Sequence, residues 1–292
     1  MATLRDIKRR ITGVKSTQKI TKAMKMVATA KLRKAQNRII NARPYANKII
    51  EMLSDLASDS DIANNPFLSP REVKNICVVV VTADRGLCGA FNANILKEAN
   101  RYINEELKDQ KAEVDVYAVG KKSADFFSKG KYNLTGKTTD IFSTLEYSAS
   151  LKIGDELITG YLENKYDKVV IIYNQFVSII QQKIEVQQFL PIPVIHKNED
   201  SKNQSNYIFE PSQKHIFDHL IPKHLKAQFW RVLLESNAAE LGARMTAMDN
   251  ATTNAQEMIK SLNLTYNKER QAAITKEILE IVSGANALKA SY

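Results

Sequence analysis

The chain has 292 residues, 44% of them hydrophobic and 25% charged, with a net charge of +10; that is the composition of a folded, water-facing protein of one or two domains. No run of about 18 uncharged apolar residues occurs, which excludes a membrane-spanning helix. Cys77 and Cys88 stand eleven apart, which suits neither a Cys-x-x-Cys redox pair nor a zinc site and predicts two buried or half-buried thiols in a reducing compartment.

Residues 1–58 hold fourteen Lys or Arg against three acids, a surplus of eleven, so the other 234 residues sum to −1. The segment from Met1 to Asp6 has no signal-peptide core, and no cleaved targeting segment is expected. From Leu4 a 3–4 stripe runs through Ile7, Ile11, Val14, Gln18, Thr21, Lys25, Ala28, Leu32, Ala35, Ile39, Ala42, Ala46, Ile49, Leu53 and Leu56. Heptads sustained this long predict one helix on the order of 80 Å, kinked at Pro44 and supercoiled left-handedly with a partner. A second apolar set, Ile20, Ala23, Met24, Val27 and Ala30, lies off that stripe and calls for an enclosing partner besides the mate.

The period then changes. Asn75–Thr82 is an apolar run that reads as a buried parallel strand. A glycine-containing turn (84–89), a helix (93–106), a strand (113–119), a short helix (121–128), another helix (151–162) and a strand (168–173) follow. Residues 176–189 suggest one or two antiparallel strands, and 198–206 a polar loop. Strand–helix alternation at this spacing predicts a small open α/β sheet. Beyond Pro211 and Pro222 a last helix runs nearly to the end. Its stripe passes through Leu225, Phe229, Val232, Ser236, Ala239, Ala243 and Thr246 and re-emerges at Ile274, Ile278, Ile281, Ala285 and Leu288. The 250–273 stretch is polar and poorly patterned, so contacts with something other than the mate are expected there. The fold expected is α/β: a long antiparallel left-handed coiled coil of the terminal helices (1–58 and 209–292) around an inserted α/β domain (59–208).

No catalytic constellation appears. Asp84-Arg85-Gly86-Leu87-Cys88-Gly89 offers Gly-x-x-Gly, neither a dinucleotide fingerprint nor a P-loop. It reads as a structural or contact turn, its Asp-Arg pair a local ion pair or turn cap. His215 and His219 share a helix face but lack the intervening Glu and third ligand of a zinc site. The basic first helix admits a nucleic-acid-binding alternative, yet its charges surround an apolar stripe and Tyr45 is its one aromatic residue, which favours a protein partner.

Three separated runs resemble the γ subunits of F-type ATP synthases. They are Thr17-Gln18-Lys19-Ile20-Thr21-Lys22-Ala23-Met24-Lys25-Met26-Val27-Ala28, the turn from Asp84 to Asn92, and Ile274-Thr275-Lys276-Glu277-Ile278-Leu279-Glu280-Ile281-Val282-Ser283-Gly284-Ala285. Glu240, Ala243, Arg244, Met245, Ala247, Met248, Ala251 and Thr252 also match, and the resemblance spans residue 2 to about 290. It implies a Rossmann-like insert and a non-catalytic central rotor shaft, one copy per complex, with no cofactor of its own. The partners implied are the α and β subunits of the catalytic ring, the ε subunit and the membrane c-ring. The place implied is the cytoplasmic face of a bacterial plasma membrane, since no chloroplast-type cysteine insertion or transit peptide is present. By the same resemblance Met24, Lys25, Cys88, Arg244, Arg270, Gln271 and Thr275 are candidate contacts to β, where Lys25 stands at a position that can be Glu in relatives. Ile278, Ile281, Ala285 and Leu288 are candidates for a bearing in the upper sleeve of the ring.

Overall fold

The computed structural model describes residues 3–56, 65–69, 71–108, 112–179, 181–193, 210 and 212–290, with the backbone alone for 54–56 and 287–290. The expected loop at 198–206 lies outside the described residues. Two compact units form, one from Met1–Val27 with Met245–Tyr292, the other from Ala28–Arg244. Helix α1 (Leu4–Leu56) and helix α5 (Gln213–Ala290) each contribute to both.

In the first unit the helices are antiparallel. Three polar pairs set the register: Gln18 Nε2 to Gln256 Oε1 at 3.2 Å, Thr252 Oγ1 to Thr21 Oγ1 at 2.8 Å and Lys25 Nζ to Asp249 Oδ1 at 2.6 Å. Ile7, Ile11 and Thr21 are buried, and Leu4, Val14, Gln18 and Lys25 half-buried, as the heptad reading requires. The reading of 250–273 as unpatterned is corrected. Met248, Thr252, Ala255, Ile259, Leu262, Tyr266, Glu269 and Ala273 alternate steps of four and three, and every one is buried or half-buried. Thr252 and Glu269 at inward positions conceal the period from a hydropathy reading. The continuation of that stripe along the mate is corrected too: Ile274, Ile278 and Ile281 are 48%, 55% and 72% exposed. The register places Leu4 opposite residue 269 or 270, so α1 ends before α5 reaches them.

The second unit carries a five-stranded sheet ordered β3-β2-β1-β4-β5, comprising β1 (Asn75–Val81), β2 (Glu113–Val119), β3 (Asn133–Thr138), β4 (Lys168–Phe176) and β5 (Gln182–Leu190). The first four are parallel and β5 is antiparallel to β4. β1 lies between β2 and β4 and is almost wholly buried, which is why Ile76–Val81 can be an unbroken apolar run. Edge strand β3 escaped the sequence reading because Asn-Leu-Thr-Gly-Lys-Thr is half-exposed and lacks a continuous apolar face.

Helix α2 (Phe91–Arg101), extended by a π-helical turn at Tyr102–Glu106, covers one sheet face with Ile95, Ala99 and Ile103 against Val78, Val80 and Ile172. Helix α4 (Tyr147–Leu162) covers the other, where Glu156 accepts a 2.7 Å bond from the Tyr117 hydroxyl of β2. Short helix α3 (Lys121–Phe127) follows Gly120, whose φ of 94° is left-handed; a Cβ there would stand 2.1 Å from the Thr82 carbonyl oxygen.

The stripe Leu225–Phe229–Val232–Ser236–Ala239–Ala243 was expected to face α1, and the structure turns it onto the α/β domain instead. Phe229 meets Phe189 of β5 at 6.1 Å, and Ala239 and Ala243 join Ala83, Cys88 and Phe91. Ala227, Trp230 and Leu234, offset around the helix, look toward Ile39, Ala42 and Ala46 of α1. Helix α5 starts at Gln213, before Pro222 rather than after it, and from Ile221 to Leu241 every residue but Lys223 and Arg231 is buried or half-buried, as in a helix enclosed on two sides.

His224 is buried, and burial pulls its imidazole down to about 4 from 6.5. The unfolded chain therefore binds the proton first, and stability rises with pH through that window and falls as pH drops from about 6.5 toward 4, by at most about 3 kcal/mol. Urea unfolding followed by circular dichroism should show this acid loss in the parent chain and a shallower slope in His224→Leu; parallel slopes would exclude His224 as its source.

Candidate functional site

The turn after β1 is built from side chains that close backbone valences. Asp84 Oδ1 accepts from the backbone N–H groups of Lys121 (3.0 Å) and Asp140 (2.9 Å), and Oδ2 from that of Phe142 (3.1 Å). One carboxylate thus joins the end of β1 to the start of α3 and the loop before α4. Asp84 is a turn cap. Asn92, on the first turn of α2, accepts from Ala83 N–H at 2.9 Å and donates to Cys88 Sγ at 3.2 Å. Leu87 and Gly89 adopt left-handed φ values of 64° and 60°, which turn Cys88 inward and leave Leu87 65% exposed.

Helix α5 closes on this turn. Arg244 donates Nη1 to the Gly86 carbonyl at 2.6 Å, and its Nε and Nη2 hold Glu240 Oε1, the Nε bond at 2.8 Å. Both side chains are nearly buried, and burial pushes the Glu240 carboxyl above the usual range even though Arg244 opposes the shift. Burial also raises the Cys88 thiol, with Glu240 adding to the effect, so Cys88 is held as a neutral thiol. Gly242 matters here: a Cβ would lie 3.2 Å from the Ile179 carbonyl oxygen, so a larger residue would push α5 off the β4–β5 hairpin.

This is also where an open α/β sheet would bind a nucleotide, at the switch point between β1 and β4 beyond their carboxyl ends. Ala239, Ala243, Phe91, Phe176 and Cys88 fill that place. The turn's glycines seat a helix where a phosphate-binding sheet would seat pyrophosphate.

The structure brings Cys88 and Arg244 together through Gly86. Cys88 is itself buried, and the turn's exposed surface belongs to Arg85, Gly86, Leu87 and Gly89. In the other unit Met24 is half-buried and Lys25 is bonded to Asp249. Arg270, Gln271 and Thr275 are exposed on α5, followed by exposed Ile278, Ile281 and Ala285; the side chain of Leu288 lies outside the described residues. Of the fourteen basic residues in 1–58, all except Lys25 are exposed. The second apolar set is open in the first unit at Ile20 and Val27. Sequence reasoning missed Asp84 as a hub and Asp249 as the partner of Lys25. The i, i+4 spacing of Glu240 and Arg244 was the one legible sign of the clamp.

A family model described as ATP synthase matches residues 3–288. The chain is 52% identical over 292 residues to the ATP synthase gamma chain of Chlorobaculum parvum, covering 99% of this chain and 100% of the relative. It is 50% identical over 303 residues to that of Chloroherpeton thalassium, covering 100% of both. Among solved structures it is similar to a chain of the Tetrahymena thermophila mitochondrial ATP synthase central stalk and c-ring, at TM-score 0.61 and 25% identity, covering 80% of this chain and 99% of that one. A chain of the Euglena gracilis mitochondrial ATP synthase OSCP/F1/c-ring assembly gives TM-score 0.68 at 20% identity, covering 99% and 95%.

Removing one partner of the buried clamp leaves a carboxylate without its cation. Arg244→Ala should cost about 3 kcal/mol near neutral pH. Because the folded-state pKa of Glu240 is raised, its protonation relieves the burial, so the deficit should shrink as pH falls. Denaturant unfolding of both chains at about pH 7 and about pH 5 checks this; a deficit that grew in acid would show that Glu240 is not the group left unpaired.

Proposed function

The chain belongs to the ATP synthase gamma chain family, and on that premise we propose that it acts on the catalytic β subunits through the exposed end of α5 and the β1–α2 turn. It is the central rotor shaft of an F-type ATP synthase and a non-catalytic subunit. The observation that carries the contact reading is that α5 runs past the start of α1 and bears exposed apolar residues there, among them Ile278 and Ile281. Nothing among the described residues covers them, and a helix end of that kind needs an enclosing sleeve.

The coupling follows from symmetry. One asymmetric shaft cannot contact the three β subunits of a three-fold ring alike, so each orientation favours a different conformation in each β. Rotation by the c-ring then cycles the sites between nucleotide affinities, and with the machine running in reverse ATP hydrolysis drives the shaft. Contacts that bias without trapping must be individually weak, and exposed polar contacts of about 0–1 kcal/mol meet that need. Arg270, Gln271 and Thr275 supply them beside the bearing residues Ile278, Ile281, Ala285 and Leu288. Arg244 and Cys88 act through the turn they hold in shape. Met24 and Lys25 act from α1, where Asp249 fixes the Lys25 ammonium.

In this reading segments 1–58 and 209–292 form the coiled coil and 59–208 the domain that meets the ε subunit and the c-ring. One copy serves each complex, at the cytoplasmic face of a bacterial membrane, and no cofactor is bound. The nucleic-acid alternative has no observation in its favour.

Two measurements test the proposal. Arg270→Ala with Gln271→Ala, in the assembled enzyme, should lower ATP-driven proton pumping relative to hydrolysis while the shaft still assembles; unchanged pumping would remove both residues from the contact. Calorimetric titration of ATP or NAD into the full-length chain should give no binding heat, because α5 fills the switch point, and a saturable heat would overturn that account.

A further inference from the structure

In the second unit a cleft of about 280 Å³ opens between α1, the start of α4 and α5. Its floor exists because Ala42 and Ala46 of α1 face Ala227 of α5, three side chains too short to close the space between two helices. Its walls are aromatic. Trp230, the one tryptophan of the chain, meets Tyr147 edge-on at 5.6 Å, and Tyr45 stands at the rim. Tyr45 and Tyr147 are 56% and 41% exposed, so the aromatic surface is open from outside.

Among the described residues, the charged residues lining the cleft are of one sign: Arg43 and Arg231 line it and no carboxylate does. Arg231 is bound by Glu235 at 2.8 Å, whereas Arg43 makes no ion pair or hydrogen bond among the described residues. Apolar walls with one convergent cation are the make-up of a small-molecule site, and the volume falls near the lower end of the roughly 300–1,000 Å³ such sites span.

We propose that this cleft is a binding site for a small planar aromatic anion, a bicyclic carboxylate or sulfonate, its ring over the alanine floor and against the Trp230–Tyr147 pair and its acid group on Arg43. Edge and face contacts with the two rings recognise the aromatic body. The guanidinium offers a forked pair of donors to the acid. An occupant touches α1, α4 and α5 together and so stabilises their packing by binding the folded state alone.

The test uses 1-anilinonaphthalene-8-sulfonate with the full-length chain, since Trp230 is the sole tryptophan and its quenching reports the site. Saturable quenching with one probe per chain is expected. Ala46→Phe, which fills the floor, should abolish it, and Tyr147→Ala, at the exposed rim, should weaken it with the fold retained by circular dichroism. Arg43→Gln should weaken the sulfonate roughly tenfold and leave the neutral analogue N-phenyl-1-naphthylamine unchanged. Non-saturable quenching, or quenching indifferent to Ala46→Phe and Tyr147→Ala, would overturn the site. An equal effect of Arg43→Gln on both probes, or none on either, would overturn its preference for an anion.

Discussion

The second unit depends on one helix burying two faces at once. Between Gln213 and Arg244, α5 presents Phe229, Val232 and Ala239 to the sheet and Ala227 and Leu234 to α1. A surface helix needs one apolar stripe; a sandwiched one needs two, and a polar group stranded between them is costly. Two acidic residues there are paired, while Ser236 Oγ and Glu235 Oε2 are buried without a hydrogen-bond partner among the described residues. Glu235 takes Arg231, and Glu240 takes Arg244, each one turn along the same helix. The second pair is also a tether, because the remaining guanidinium nitrogen reaches the Gly86 carbonyl of the β1–α2 turn. Breaking the helix's hold on the sheet therefore exposes an apolar face and disturbs a buried ion pair together.

That arrangement explains how a sheet with a nucleotide-binding topology comes to have its crevice filled by its own helix. The strand order places the crevice beyond β1 and β4, and a glycine-containing turn leads from β1 into α2 there. What approaches the turn is helical backbone. Small residues on both sides, Ala83, Ala239 and Gly242, let the helix come close, and Asp84 spends its lone pairs on three backbone N–H groups. The chemistry that would cradle phosphate elsewhere is consumed in holding structural segments.

What was legible from the residues divides along the same line. Sequence period reveals a helix with one buried stripe, so every described position of the α1 heptads from Leu4 to Leu53 is buried or half-buried as read. It cannot say which of two stripes faces which neighbour, and the Leu225–Ala243 stripe was assigned to the wrong one for that reason. Nor does hydropathy see a seam made of Thr252, Ala255 and Glu269, whose inward position depends on geometry rather than on apolar character. Strand β3 failed on similar grounds, as an edge strand of mixed polarity. The hub role of Asp84 was invisible because its three partners lie 37 to 58 residues away. Cys88 shows the limit for sites: motif resemblance marks the turn, and only the backbone conformation around it reveals that the sulfur points inward.

The polar seam of the first unit bears on how a shaft can transmit torque. Three successive interhelical contacts there are Gln18 with Gln256, Thr21 with Thr252 and Lys25 with Asp249. Polar pairs across a coiled coil add little net stability but favour one register, since a slip breaks several matched contacts at once. An apolar seam of interchangeable side chains resists separation more than it resists sliding. For a component that must keep its two strands in phase under load, the useful quantity is resistance to sliding. Lys25 and Asp249 are 39% and 53% exposed, so their pairing is worth little as binding energy, yet it still selects one alignment of the helices over its neighbours. The exposed residues further along α5, from Arg270 onward, are thereby carried on a helix whose alignment with α1 is set by specific polar contacts rather than by hydrophobicity alone.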